Sequence, residues 1–165
     1  MALNLQKKKT IVSKIHEISN IALSAITADS QNINVNTMNQ LRKDGRKIGV
    51  TMSVVQNTLL SLAIKNTSFE CLQKNIKGST FIAYSMQHPG SGARLFKEFS
   101  IKNNQFKITG GVFEGKILSL LEINQLADMP THKEAIIKLI LTLKIASIGK
   151  LVYTLSAIKK QKENL

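Results

Sequence analysis

Residues 131–162, THKEAIIKLILTLKIASIGKLVYTLSAIKKQK, run without a proline from a threonine to a basic end. Thr131 followed by Glu134 fits a capping box, in which hydroxyl and carboxylate each satisfy a backbone amide at a helix start. A helix of these 32 residues is about 48 Å long at 1.5 Å per residue. Its apolar residues are Ile136, Ile137, Leu139, Ile140, Leu141, Leu143, Ile145, Ile148, Leu151, Val152, Leu155 and Ile158, and they occupy more than one stripe. A helix this apolar has to bury itself against protein or membrane, and the chain ahead of it is too small to cover its length. A partner-binding helix over 131–165 is therefore expected, with Ile136, Ile137, Ile140, Leu141, Leu143, Ile148, Leu151, Val152, Leu155 and Ile158 as contacts. Gly149 costs about 1 kcal/mol relative to alanine and marks a bend, or a division between two docking segments.

Working back from Pro130, the pattern changes in kind. Ile11, Ile15, Ile18 and Ala22 recur at helical spacing. Leu23 to Ala28 reads as a strand, and Asn36 or Thr37 can cap a helix through Asp44, with Gly45 as a left-handed C-terminal cap. Val50 to Val55 reads as a strand, Leu59, Leu60, Ala63 and Ile64 as a short helix capped by Asn57 or Thr58, and Ser79 to Tyr84 as a buried strand. Leu95, Phe96 and Phe99 form a helical face after Pro89, and Phe106, Ile108, Gly110 and Val112 alternate with polar neighbours as in a half-buried strand. Strands alternating with helices imply an α/β (α+β) domain over residues 1–130, a mixed sheet covered by helices, followed by the long C-terminal helix.

The net charge of +13 comes from 23 basic against 10 acidic residues, a balance that attracts polyanions, nucleic acid before membrane. Twenty of the basic residues are lysine, while isoleucine is also 20 and asparagine 13, so compositional bias supplies part of that charge and its position must decide. Lys7, Lys8 and Lys9 oppose the dipole of the first helix and are explained by a phosphate partner or by a solvated run. Arg42, Lys43, Arg46 and Lys47 sit at a helix C-terminus, where basic charge is favourable on its own account.

No reactive constellation is legible. His16, His88 and His132 have no ligand spacing to one another or to Cys71, so no metal site is expected. Cys71, in Phe69-Glu70-Cys71-Leu72, reads as a small buried hydrophobe. Glu98, Glu114 and Glu122 are isolated carboxylates, and no catalytic residue or cofactor is expected. Gly90-Ser91-Gly92 opens a helix, where a phosphate can sit, but lacks the third glycine and the Lys-Ser/Thr pair of nucleotide loops. A single cysteine, no apolar run of about 18 residues and no leader point to the cytoplasm.

Met1-Ala2-Leu3-Asn4-Leu5-Gln6, Leu41-Arg42-Lys43-Asp44-Gly45-Arg46, Val54-Val55-Gln56-Asn57-Thr58-Leu59-Leu60, Phe69-Glu70-Cys71-Leu72, Ala93-Arg94-Leu95-Phe96-Lys97-Glu98-Phe99 and Gly149-Lys150-Leu151-Val152 resemble, in order and spacing, the family of bacterial large-subunit ribosomal protein ten, the stalk-base protein. The resemblance implies a structural, non-enzymatic constituent of the large ribosomal subunit. Its N-terminal domain would dock on ribosomal RNA beside the neighbouring protein eleven. Its C-terminal helix would hold dimers of the acidic stalk protein, which recruit translational GTPases, and the chain would repress translation of its own messenger. Carried over by residue, the RNA contacts fall on Lys7, Lys8, Lys9, Arg42, Lys43, Arg46, Gln56, Asn57 and Thr58, with Gln56 standing where the family usually has a basic residue. Cations would neutralise phosphates, and Asn57 and Thr58 would fix the register by hydrogen bonds. Few aromatics are available for stacking, which favours recognition by shape and backbone. A membrane-surface protein with an interfacial helix is the competing class, but that helix calls for a single apolar face. A nucleotide-using enzyme built on Gly90–Gly92 is a third.

Overall fold

In the first unit, segments whose apolar residues recur at helical spacing form helices that bury their stripes against a sheet. The computed structural model describes residues 4–29, 31, 33–76, 78–103 and 105–163, with backbone alone for 74, 75, 147 and 148. The chain divides into two compact units, Met1–Met129 and Pro130–Leu165.

The first unit runs α1 (Leu5–Ile21), β1 (Ser24–Asp29), α2 (Val35–Lys47), β2 (Val50–Val54), α3 (Asn57–Ile64), a 3-10 segment (Glu70–Asn75), β3 (Thr80–Ser85), α4 (Gly90–Lys102), β4 (Lys107–Phe113), β5 (Lys116–Leu118) and α5 (Leu120–Asp128). The strands lie in the order β2-β3-β1-β4-β5, and every pairing is antiparallel. The α+β class is as the sequence implied, but the sheet is not mixed. The β1–α2–β2 unit leaves a one-strand gap that β3 fills running the opposite way, so helix-strand alternation arises without a parallel pair.

The two faces of the sheet carry separate cores. One packs Ile26, Phe81, Ala83 and Val50 under α2, α4 and α5, with Phe81, Phe96, Phe99 and Phe106 in aromatic contact at 5.0–5.7 Å between centroids. The other packs Ala25, Ile82, Tyr84 and Val112 under Ile15 of α1, Leu60, Ala63 and Ile64 of α3, Leu72 of the 3-10 segment and Phe69 just before it. Thr27 and Gly110 mark a bulge in β1–β4, where the threonine hydroxyl donates to Gly110 O at 3.0 Å. Beyond it, Gly110, Gly111 and Val112 are all buried, so the alternation expected along β4 holds only in its first half.

Several local expectations are corrected. Asn34, not Asn36 or Thr37, caps α2, its Oδ1 accepting from Asn36 N–H at 3.3 Å. Gly45 is not a C-terminal cap but a buried residue inside α2, where an added Cβ would meet Met52 Cε at 2.6 Å; the left-handed residue is Gly49, at φ +73°. Asn57 and Thr58 lie inside the first turn of α3, and Gln56 precedes it without a side-chain cap. Cys71 is exposed; Phe69, which precedes the 3-10 segment, and Leu72 within it are buried instead. The unanticipated α5 starts at a capping box, Ser119 with Glu122, whose carboxylate accepts from Ser119 N–H at 2.7 Å and is held below its ordinary pKa by that bond. Its far end is held by Arg94, whose guanidinium donates to Ala127 O and Met129 O.

Gly90 is required by packing: a Cβ there would fall 2.5 Å from the backbone oxygen of Leu126, which cannot swing away, whereas the Met52 thioether above Gly45 can. Gly90→Ala should therefore destabilise the fold by about 1–3 kcal/mol in denaturant melts, while Gly45→Ala should lie within about 1 kcal/mol of the parent. Burial pushes the Tyr84 phenol up to about 12; Ser19 lies near enough to lower it slightly, but the two hydroxyls make no hydrogen bond of good geometry. A raised acid pKa costs stability as pH climbs above the unfolded value of 10.0. Tyr84→Phe should be neutral or stabilising at pH 7 and should reduce the loss of stability between pH 10 and 12 in alkaline unfolding.

Candidate nucleic-acid interface and partner helix

The open edge of β2 organises the polar surface of the first unit. β1 and β2 both run from the Ser85 row of β3 towards its Thr80 row. α1 leads into β1 at the Ser85 end and α3 leaves β2 at the other, and both pack on the same face. The two helices therefore lie side by side in the same direction, a relation fixed by the 3.0 Å contact of His16 Nδ1 with Ala63 O. Lys7, Lys8 and Lys9, all exposed on the first turns of α1, are thereby brought to the end of the sheet where Gln56, Asn57 and Thr58 open α3. An open groove of about 510 Å³ lies there, lined by Val54–Thr58 and Gly78–Thr80. Asn57 is half committed, because its Nδ2 donates to Gly78 O at 2.9 Å and leaves the Oδ1 acceptor.

Arg42, Lys43 and Arg46 stand at the other end. α2 runs to the Ser85 row, where Arg42 and Arg46 line an open groove of about 630 Å³ with Gly49, Val50, Thr51, Met52, Met86 and Gln87. A second groove, about 590 Å³, is lined by Asn36, Asn39, Gln40, Arg42, Lys43 and Arg46 on the outer face of the same helix. The residues expected to contact RNA thus form two groups, separated by the length of β2, about 14 Å at 3.4 Å per residue. Asp44 is the one carboxylate within this stretch of α2, and it pairs with Lys47 at 3.0 Å.

The amides of Gly90–Gly92 are not available to a phosphate. Gly90 N–H donates to His88 Nδ1, Ser91 N–H to His88 O and Gly92 N–H to the Ser85 hydroxyl, all at 3.1 Å, and all three residues are buried. Among the described residues no group of His, Cys, Asp and Glu is placed to hold a metal ion, and no helix is long and apolar enough to cross a membrane.

The second unit is the helix, beginning at a Thr131–Glu134 capping box and running as α6 (His132–Lys144), a widened π-type turn (Ile145–Gly149) and α7 (Lys150–Glu163). Ile136, Ile137, Ile140, Leu141, Leu143, Leu151, Val152, Leu155 and Ile158 are all exposed, from 45% at Ile136 to 65% at Leu151 and Leu155. The side chain of Ile148, also expected to contact a partner, lies outside the described residues. Ile136, Ile137, Ile140 and Leu143, closed by Lys144, recur 15 residues on as Leu151, Val152, Leu155 and Ile158, closed by Lys159. This repeat was legible in the sequence as a period and not as a list of apolar residues. In an unbroken α-helix 15 residues overshoot four turns by about 60°. The widened turn between the copies unwinds part of that excess, bringing the two stripes back towards one side.

A basic α+β unit, joined to a helix with repeated bare apolar stripes, defines a binding scaffold. The ribosomal protein L10 family model matches residues 3–100. A large ribosomal subunit protein uL10 of Buchnera aphidicola subsp. Schizaphis graminum is 75% identical over 163 residues, 99% of both chains. Proteins of the same name from Erwinia tasmaniensis and Escherichia coli O1:K1 / APEC are each 51% identical over 163 residues, 99% of this chain and 98% and 99% of theirs. The chain belongs to the ribosomal protein L10 family: it is a structural protein of the large ribosomal subunit and not an enzyme.

Losing the Asn57–Gly78 bond should cost about 0.5–1.5 kcal/mol. Asn57→Ala is thus expected to lower the melting temperature of the free protein, measured by circular dichroism, before any RNA is added.

Proposed function

We propose that the protein forms the base of the ribosomal stalk. Its first unit, residues 1–130, binds large-subunit ribosomal RNA through Lys7, Lys8, Lys9, Arg42, Lys43, Arg46, Gln56, Asn57 and Thr58, beside protein eleven. Its helix, residues 131–165, holds dimers of the acidic stalk protein, which bring translational GTPases to the subunit. The same RNA-binding surface serves repression of its own messenger.

The observation that carries this reading is the repeated apolar pattern on an exposed helix. Bare stripes of this kind bind partner helices through anchors at i, i+1, i+4 and i+7, and lysines beside them suit an acidic partner. On the RNA side, the four phenylalanines of the α4 face are consumed by the core. The interface then consists of cations and hydrogen-bonding side chains, which favours phosphate and shape recognition over base stacking.

Two copies of the motif imply two dimers. Size-exclusion chromatography with light scattering, on the chain saturated with the acidic stalk protein, should give the mass of two dimers per chain. Ile140→Glu and Leu155→Glu should each remove one, and truncation after Pro130 both. An unchanged mass in the truncated chain would refute the assignment of the helix.

A further inference from the structure

We propose, resting on the RNA-binding reading above, that the RNA backbone lies along the open edge of β2 and is held there by the outward main-chain groups of Met52 and Val54. The edge would join the Arg42–Arg46 end to the Gln56–Thr58 end in one continuous track.

The register identifies the groups. Met86 N–H donates to Gly49 O at 3.4 Å, which makes Gly49–Met86 a hydrogen-bonded pair. Antiparallel alternation then assigns Thr51 to Tyr84 and Ser53 to Ile82, leaving the N–H and C=O of Val50, Met52 and Val54 directed away from β3. Val50 is buried, its carbonyl oxygen beneath Gly45 of α2, so the two donors and two acceptors of Met52 and Val54 line the part of the edge that, among the described residues, no other strand covers.

This edge also lacks the usual protection. Natural sheets blunt exposed edges with lysine, proline, a bulge or a very short strand. β5, the other edge, has three residues and begins with Lys116. β2, Val50-Thr51-Met52-Ser53-Val54, has five residues, no charge and no proline, and an unbroken register with β3. An unguarded edge between two basic or amide-rich grooves is protected by whatever binds it.

Charge and side-chain chemistry point to RNA as the occupant. Arg42 and Arg46 stand over the Val50–Met52 half and supply cations for phosphate, and Gln87 and Gln56 flank the two ends. A strand-adding peptide is selected by apolar pockets on alternate positions. The side chains of Thr51 and Ser53 offer none. Backbone N–H groups suit phosphate oxygens and backbone C=O groups suit the 2′-hydroxyl, so an RNA strand satisfies both series where DNA satisfies one.

The test uses the full-length protein and transcribed large-subunit ribosomal RNA. Amide hydrogen exchange should show the Met52 and Val54 amides fast in the free chain and slowed about tenfold or more when RNA is bound. Val54→Pro removes an outward donor without touching the pairing with β3, and proline is tolerated at such positions. It should weaken RNA binding about tenfold with an unchanged salt slope, whereas Arg42→Ala should lower the slope by about one. If the edge amides stay fast in the complex while Arg42→Ala still weakens binding, the edge proposal is wrong and the RNA reading stands. If Arg42→Ala and Lys8→Ala bind like the parent, the RNA reading itself fails. Slowing of these amides by protein eleven and not by RNA would overturn the proposal in favour of strand addition. Should Val54→Pro not fold, the exchange measurement on the unmodified chain decides alone.

Discussion

β3 is the constraint on which the architecture of the first unit depends. All six of its residues are buried, and it is paired along its length with β1 on one side and β2 on the other. Because it runs opposite to both, β1 and β2 share a direction without touching. The helices that precede or follow them run back the opposite way, so α1, α2 and α3 all begin at the Thr80 end of the sheet. Their unsatisfied N–H groups and partial positive charge accumulate at that end. Lys7, Lys8 and Lys9 sit at the same place, where they weaken α1 and strengthen attraction for an anion.

The same insertion makes β2 an edge. Had β1 and β2 paired in parallel, as a helix-linked pair ordinarily does, β3 could have paired on the outer side of β2 and covered it. The edge is thus a consequence of topology, and its polar flanks come from the segments just before and after it. Gly45 and Gly49 divide the work of the α2–β2 join. The first brings the helix close over Met52, and the second reverses the chain in a left-handed conformation. A sequence reader sees two glycines among basic residues and has no means of assigning close approach to one and positive φ to the other.

What was legible follows from what is local. The inner face of α1 and the capping box at Thr131 depend on near neighbours, and both stand where the sequence put them. The antiparallel sheet was hidden because strand order is decided by which strand fills a gap, information that lies some 30 residues away. Cys71 was misread because the 3-10 segment turns every third residue inward, placing Phe69 and Leu72 in the core and Cys71 outside. α5 went unseen because exposed Leu120 and Leu121 break its periodicity, and only Ile123, Leu126 and Ala127 face the core. The basic residues were legible as a set; that they form two groups at opposite ends of one strand was not, since their separation is a property of the sheet.

The lysine-rich composition makes net charge a poor guide to partners; the groups that each half leaves unsatisfied within the chain are a better one. In the first unit these groups are polar: a strand edge without a neighbour and exposed cations such as Lys7, Lys8 and Lys9. In the helix they are apolar, repeated at 15 residues. These demands respond differently to solution conditions, because phosphate contacts weaken steeply with salt while apolar burial does not. On the proposed function, a chain that met RNA through one kind of surface and protein through the other would form and break the two contacts independently. Such independence suits a scaffold whose partners join it by different forces.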